Sequence, residues 1–109
     1  MPRPSDPSVD RFARLVRDVR ACTACSGVAH SHVLRSRNNG PLDARVVFVA
    51  EAVGRRGGAI TGVPLTRDES GKRFTVFLSL AGLSRDAAFV TNAVLCNPLD
   101  AEGRNRPPT

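Results

Sequence analysis

The chain has 109 residues, 41% of them hydrophobic and 24% charged, with a formal net charge of +6. These values suit one small globular domain, and no run of about 18 apolar residues exists, so no helical membrane span is expected. Lys72 is the only lysine among 16 basic residues, so the positive charge is nearly all arginine, which favours phosphate contacts and makes nucleic acid the first candidate partner; five Phe with no Trp or Tyr argue against a broad base-stacking platform.

Residues 1–7 are polar and proline-rich and are expected to form a flexible N-terminal arm. They hold no apolar segment of the secretory kind. Three cysteines are an odd count, so a disulfide scaffold is not expected and the chain is placed in the cytoplasm. Ser8 or Asp10 can cap a helix. Val9, Phe12, Leu15, Val16 and Val19 then recur at three- and four-residue spacing and give it an apolar stripe. Arg11, Arg14, Arg17, Asp18 and Arg20 form its solvated side. A cysteine loop follows, and residues 35–44 form a second loop around Asn39-Gly40-Pro41.

Residues 45–50 are a continuous apolar run after Arg45, as expected of a strand buried on both faces in a parallel sheet. A long Gly-rich loop runs over residues 51–70. Phe74, Phe77, Leu78, Ala81 and Leu83 mark a helix over residues 71–83, with Gly82 at its end. Residues 87–94 form a second buried strand, and residues 95–109 are a polar tail with three prolines. The order helix, strand, helix, strand opens an α/β domain with a parallel sheet. Two strands do not complete such a sheet. The chain also stops at Pro107-Pro108-Thr109, where Thr is a good helix cap. Residues 8–109 are therefore expected to be a partial, truncated domain.

Cys22 and Cys25 form a C-x-x-C pair, and Cys96 stands far downstream. Such a pair with a distant third cysteine is how a chain cages a metal centre from separate parts of a fold. The two strands end in Ala50-Glu51-Ala52-Val53-Gly54 and Val90-Thr91-Asn92. Both ends lie at the carboxyl edge of a parallel sheet, where such folds bind ligands. Glu51 and Asn92 are expected to point into one crevice. An Asn carboxamide offers a donor and an acceptor, which suits a nucleobase edge such as the O4 and N3–H of uracil.

Two other chemistries compete. Cys22, Cys25, His30 and His32 read as C-x-x-C-x4-H-x-H, a candidate zinc-binding nucleic-acid module whose His spacing is shorter than that of standard zinc fingers. Gly71-Lys72 invites comparison with a phosphate-binding loop, but Thr66 occupies the required upstream glycine and Arg73 the Ser/Thr position.

The ordered set of Cys-x-x-Cys, Ala50-Glu51-Ala52-Val53-Gly54, Thr61-Gly62-Val63-Pro64-Leu65, Gly71-Lys72-Arg73-Phe74, Val90-Thr91-Asn92, Cys96-Asn97-Pro98 and Asn105-Arg106-Pro107-Pro108 resembles the iron–sulfur uracil-DNA glycosylases, the thermophile-type family 4 and its relatives, over residues 12–109. The resemblance implies a three-layer α/β/α fold with a parallel sheet. It implies a structural [4Fe–4S] cluster held by Cys22, Cys25 and Cys96, with the fourth cysteine beyond Thr109. Asn92 matches the residue that reads the uracil edge, and Glu51 the acidic residue at the reaction crevice. Ala52 contributes backbone contacts. Leu65 stands where the family carries a Phe that stacks on the base, and Val53 where it carries Pro. Arg55 and Arg56 occupy a position that is acidic in the family; with Arg104 and Arg106 they are expected to contact DNA phosphates. The implied activity is hydrolysis of the N-glycosidic bond of uracil, or of another damaged base, in DNA. The partner is DNA and not a membrane, the protein a monomer, and the 109-residue chain weak or inactive by itself.

Overall fold

A computed structural model of the chain describes residues 7–24, 28–29 and 39–107. The first helix, α1 (Pro7–Ala21), opens on a proline. Its missing N–H costs nothing there, because the first turn has no intrahelical acceptors to satisfy. Asp10 in the first turn and Arg20 in the last complement the helix dipole. Pro7 is thus helical, and the remainder of the expected arm lies outside the described residues. Phe12 meets Phe89 edge-on, with ring centroids 5.8 Å apart at 79°. No α1 residue is fully buried, and Val9 and Leu15 remain half exposed.

A two-residue strand, β1 (Val28–Ala29), follows α1. The first long strand is β2 (Val46–Ala52), and the chain then forms the short helix α2 (Gly58–Thr61) and the longer α3 (Glu69–Leu80). A 3-10 turn over Arg85–Ala87 leads into β3 (Ala88–Val94), and β4 (Asn97–Pro98) comes last. β1 pairs antiparallel with β4, Val28 opposite Pro98 and Ala29 opposite Asn97. Neither short strand was legible in the sequence, because two residues carry no periodicity.

α3 starts before the position expected from its apolar stripe. The cause is Asp68, whose carboxylate accepts from the Gly71 N–H at 3.0 Å and caps the helix. It stops at Leu80, before the expected residue 83, and Gly82 makes the turn at φ +73°.

β2 and β3 pair in parallel, with Val46 opposite Ala88, Phe48 opposite Val90 and Ala50 opposite Asn92. Side chains paired in this register share a face. Phe48, Ala50, Val90 and Asn92 therefore lie on one face, and α3 covers it: Phe74 meets Phe48 edge-on at 5.2 Å. Ala88 and Val90 are 0% and 1% exposed there. On the other face Val47 and Val49 are 56% and 62% exposed. The expectation of a strand buried on both faces thus holds for one face of β2 among the described residues. These elements make an α/β fold around a small parallel sheet.

The outer edge of β3 is closed by one residue. Val90 N–H donates to the Asn39 carbonyl at 2.7 Å. The Asn39 side-chain amide donates to the Val90 carbonyl at 2.9 Å. Asn39 thereby satisfies both backbone groups that Val90 turns away from β2, and it is 2% exposed. The next residue must pass close to β3. Gly40 sits at φ +118°, and a Cβ there would fall 2.1 Å from the Ala88 carbonyl oxygen. Asn39→Ala strands a buried carbonyl and is expected to cost about 1–3 kcal/mol. Gly40→Ala is expected to cost more than Asn39→Ala. Denaturant midpoints of the two variants against the parent check both.

Candidate functional site

The carboxyl ends of β2 and β3 open into a cavity of about 340 Å³. Its walls come from three places: the two strand ends, the stretch over residues 53–70, and Asn105 with Arg106. Asn92 enters from β3. Its side chain is 6% exposed, and its Oδ1 is fully enclosed without a hydrogen-bond partner among the described residues. Burying an amide oxygen unpaired costs free energy that a folded protein normally avoids. The residue that carries this unpaired oxygen lines the cavity.

Glu51 also lines the cavity, but from elsewhere. The register pairs Ala50 with Asn92, so the Glu51 side chain leaves β2 on the opposite face, beside Val47 and Val49, and is exposed. The two side chains expected to converge thus leave the sheet on opposite faces, although both residues line the cavity. Ala52 is half-buried on the Asn92 face.

The floor is tied together by amides that the sequence reading did not single out. Asn97, 2% exposed, donates from Nδ2 to the Val53 carbonyl at 2.6 Å and to Asn105 Oδ1 at 3.2 Å. Asn105 Oδ1 also accepts from the Arg55 N–H at 2.9 Å. Val53 N–H donates to the Cys96 carbonyl at 3.3 Å. The loop after β2 is therefore fixed to the chain after β3. The expected polar tail is a folded hairpin: Leu99 bridges Asn105, and Asp100 Oδ1 accepts from the N–H groups of Glu102 and Arg104 at 3.0 and 2.8 Å.

This hairpin changes the standing of two arginines. Arg104 lies 3.3 Å from Asp100 and 3.5 Å from Glu102. Arg106 donates from Nε to the Leu99 carbonyl at 2.8 Å. Both guanidiniums are partly engaged inside the hairpin. Arg56 is exposed and Arg55 half-buried at the cavity loop.

Leu65 forms part of the wall in a backbone conformation that side chains disfavour. It sits at φ +51° and Arg67 at φ +71°. The surroundings hold this conformation in place. Thr66 Oγ1 donates to the Val63 carbonyl at 2.8 Å and meets Thr61 Oγ1 at 2.5 Å. The Arg85 guanidinium donates to the Leu65 carbonyl. It also lies 5.1 Å from the Phe74 ring centroid, and desolvation by burial lowers its pKa from the ordinary arginine value. One guanidinium thus joins the strained wall to the aromatic contact under the sheet.

Asp68 lines the same cavity. Beyond its capping oxygen, the second one, Oδ2, lies against the backbone turn at Gly54 and Gly57. A Cβ on either glycine would stand 2.5 Å from it. Only glycine lets that turn approach so closely.

A model of the uracil DNA glycosylase superfamily matches residues 37–109, the stretch that holds the whole cavity. The chain belongs to the uracil DNA glycosylase superfamily. No curated protein matches it. Members of this superfamily act on DNA, which accords with the arginine-rich composition. The matched stretch contains Glu51, Ala52, Leu65, Asn92 and Cys96 but begins after Cys22 and Cys25.

Of the expected metal ligands, Cys22 is exposed just after α1 and Cys96 is half-buried between β3 and β4. Cys25, His30 and His32 lie outside the described residues. Among the described residues no three Cys, His, Asp or Glu side chains gather as a metal site. No described helix is long and apolar enough to cross a membrane.

Arg85→Ala is expected to leave the Leu65 carbonyl without its donor and to remove the cation from Phe74. The expected loss is about 1–3 kcal/mol, read from the denaturant midpoint. Arg85→Lys is expected to recover part of it.

Proposed function

We propose that the protein is a DNA glycosylase that hydrolyses the N-glycosidic bond of uracil, or of a related damaged base, and leaves an abasic site. One observation carries this reading: the enclosed, unpartnered Oδ1 of Asn92, at the carboxyl edge of the sheet within the stretch that marks the family. That oxygen accepts the N3–H of a base turned out of the stack, and the amide N–H₂ donates to the neighbouring carbonyl. Ala52 offers backbone contacts beside it. Leu65 packs against the base but has no ring to stack on it, which relaxes the selection for one base. Glu51 lines the crevice. Arg55 and Arg56 meet DNA phosphates next to the cavity, and Arg104 and Arg106 lend charge from within their hairpin.

The reading includes the three-layer α/β/α arrangement and the iron–sulfur branch of the superfamily. Cys22 and Cys96 follow the ends of α1 and β3. Thiolates are the ligands such clusters take. With Cys25 they would hold a [4Fe–4S] cluster as a brace between those two ends. No step of the hydrolysis runs through it.

Two measurements test the reading. Fluorescence anisotropy with single-stranded oligonucleotides that differ at one base is expected to show tighter binding of uracil than of cytosine. Asn92→Ala is expected to remove the preference, roughly tenfold or more. Equal binding of the two bases by the parent chain would remove the basis for the proposal. Separately, anaerobic reconstitution is expected to give a brown, iron-containing protein. Cys22→Ser and Cys96→Ser are each expected to lower the iron content and bleach the colour. A colourless parent that takes up zinc instead assigns the cysteines to zinc.

A further inference from the structure

Glu51 is turned away from Asn92 by the pairing of β2 with β3, yet the cavity has a carboxylate on the Asn92 side. Asp68 caps α3, the helix that packs on the Phe48 face through Phe74. Phe48 and Asn92 share that face. The two oxygens of Asp68 have different surroundings. Oδ1 accepts from the Gly71 N–H at 3.0 Å. Oδ2 makes no hydrogen bond among the described residues. Gly54 and Gly57 make room for it, since a Cβ on either would come within 2.5 Å. The amino end of α3 adds positive potential that favours a carboxylate there. The enclosed Oδ1 of Asn92 independently points to a ligand in the same cavity.

We propose that Asp68 is a catalytic carboxylate of this site, with Oδ2 holding the attacking water and facing the sugar of the bound nucleotide. The inference rests on the glycosylase reading above. In the step, the C1′–N bond breaks and its electron pair leaves on the base. The sugar carbon gains positive charge, which the carboxylate stabilises. The water oxygen then bonds to C1′, and its proton passes to Asp68 Oδ2 and from there to the departing base. Atoms and charge balance with water as the only co-reactant. The cap through Oδ1 serves a second purpose, because it holds the carboxylate in one rotamer at the wall of the cavity.

The test uses binding, so it does not depend on turnover. Single-stranded oligonucleotides carry either a cationic pyrrolidine in place of the sugar or a neutral tetrahydrofuran. The full chain is expected to bind the pyrrolidine form more tightly. Asp68→Asn keeps the cap, because the amide oxygen still accepts from Gly71, and is expected to lower that preference roughly tenfold or more. Glu69→Gln, on the exposed side of α3 and paired only with Arg73 at 3.7 Å, controls for net charge and is expected to leave it unchanged. A preference that survives in Asp68→Asn overturns the inference. So does one lost in Glu51→Gln and kept in Asp68→Asn. A parent chain that distinguishes uracil from cytosine but not pyrrolidine from tetrahydrofuran keeps the glycosylase reading and overturns this one.

Discussion

The parallel register of β2 against β3 is the constraint on which the rest depends. It pairs Ala50 with Asn92 and brings both strand ends to one edge. It also decides which side chains share a face. Aromatic contact between Phe48 and Phe74 seats α3 on that face, and Asn39 closes the far edge of β3 with bonds to both backbone groups of Val90. A slip of one residue would turn Asn92 toward solvent and Thr91 toward the cavity. The double hydrogen bond from Asn39 opposes such a slip, because it recognises one residue of the strand and not its neighbours.

The cavity is assembled from loops that are held by the rest of the fold. Asn97 and Asn105 tie the turn after β2 to the hairpin after β3. Arg85 holds the left-handed Leu65 from below. Asp68 links the glycine turn to the start of α3. Three of these ties, Asn97 to Val53, Arg55 to Asn105 and Arg85 to Leu65, pair a side chain with a backbone group distant in sequence, so the walls are fixed without a large core beneath them. Only four hydrophobic residues, Val53, Leu78, Ala88 and Val90, are fully buried among the described residues. Polar ties therefore carry much of the site's geometry.

The element order was legible because continuous apolar runs mark the two long strands and a three- to four-residue period marks the two main helices. Asn92 was legible too, as a polar residue at the end of an apolar run. Asp68 was not, and Asn97 and Asn105 were legible only as members of motifs, without a role. A cap, a buried amide and its partner are single polar residues in polar stretches, and their roles exist only once distant segments meet. The hairpin over residues 98–106 was read as a polar tail for the same reason. Asp100 and Gly103 were its only local signals: an Asx acceptor and a glycine at φ +78°.

The amino-acid sequence by itself determined the α/β order, the two long strands, the placement of Asn92 at the carboxyl edge of the sheet and the superfamily to which the chain belongs. The elements and the place of Asn92 are properties of local pattern, each read from a window of about ten residues, and the superfamily is read from the order of short motifs along the chain. Tertiary structure alone decided that Glu51 and Asn92 lie on opposite faces, that Asn92 Oδ1 is enclosed, and that Asp68 reaches the cavity from the cap of α3. The facing of a strand residue depends on which helix covers the sheet. The enclosure of one oxygen depends on contacts across many residues of chain, and no short window of sequence contains them.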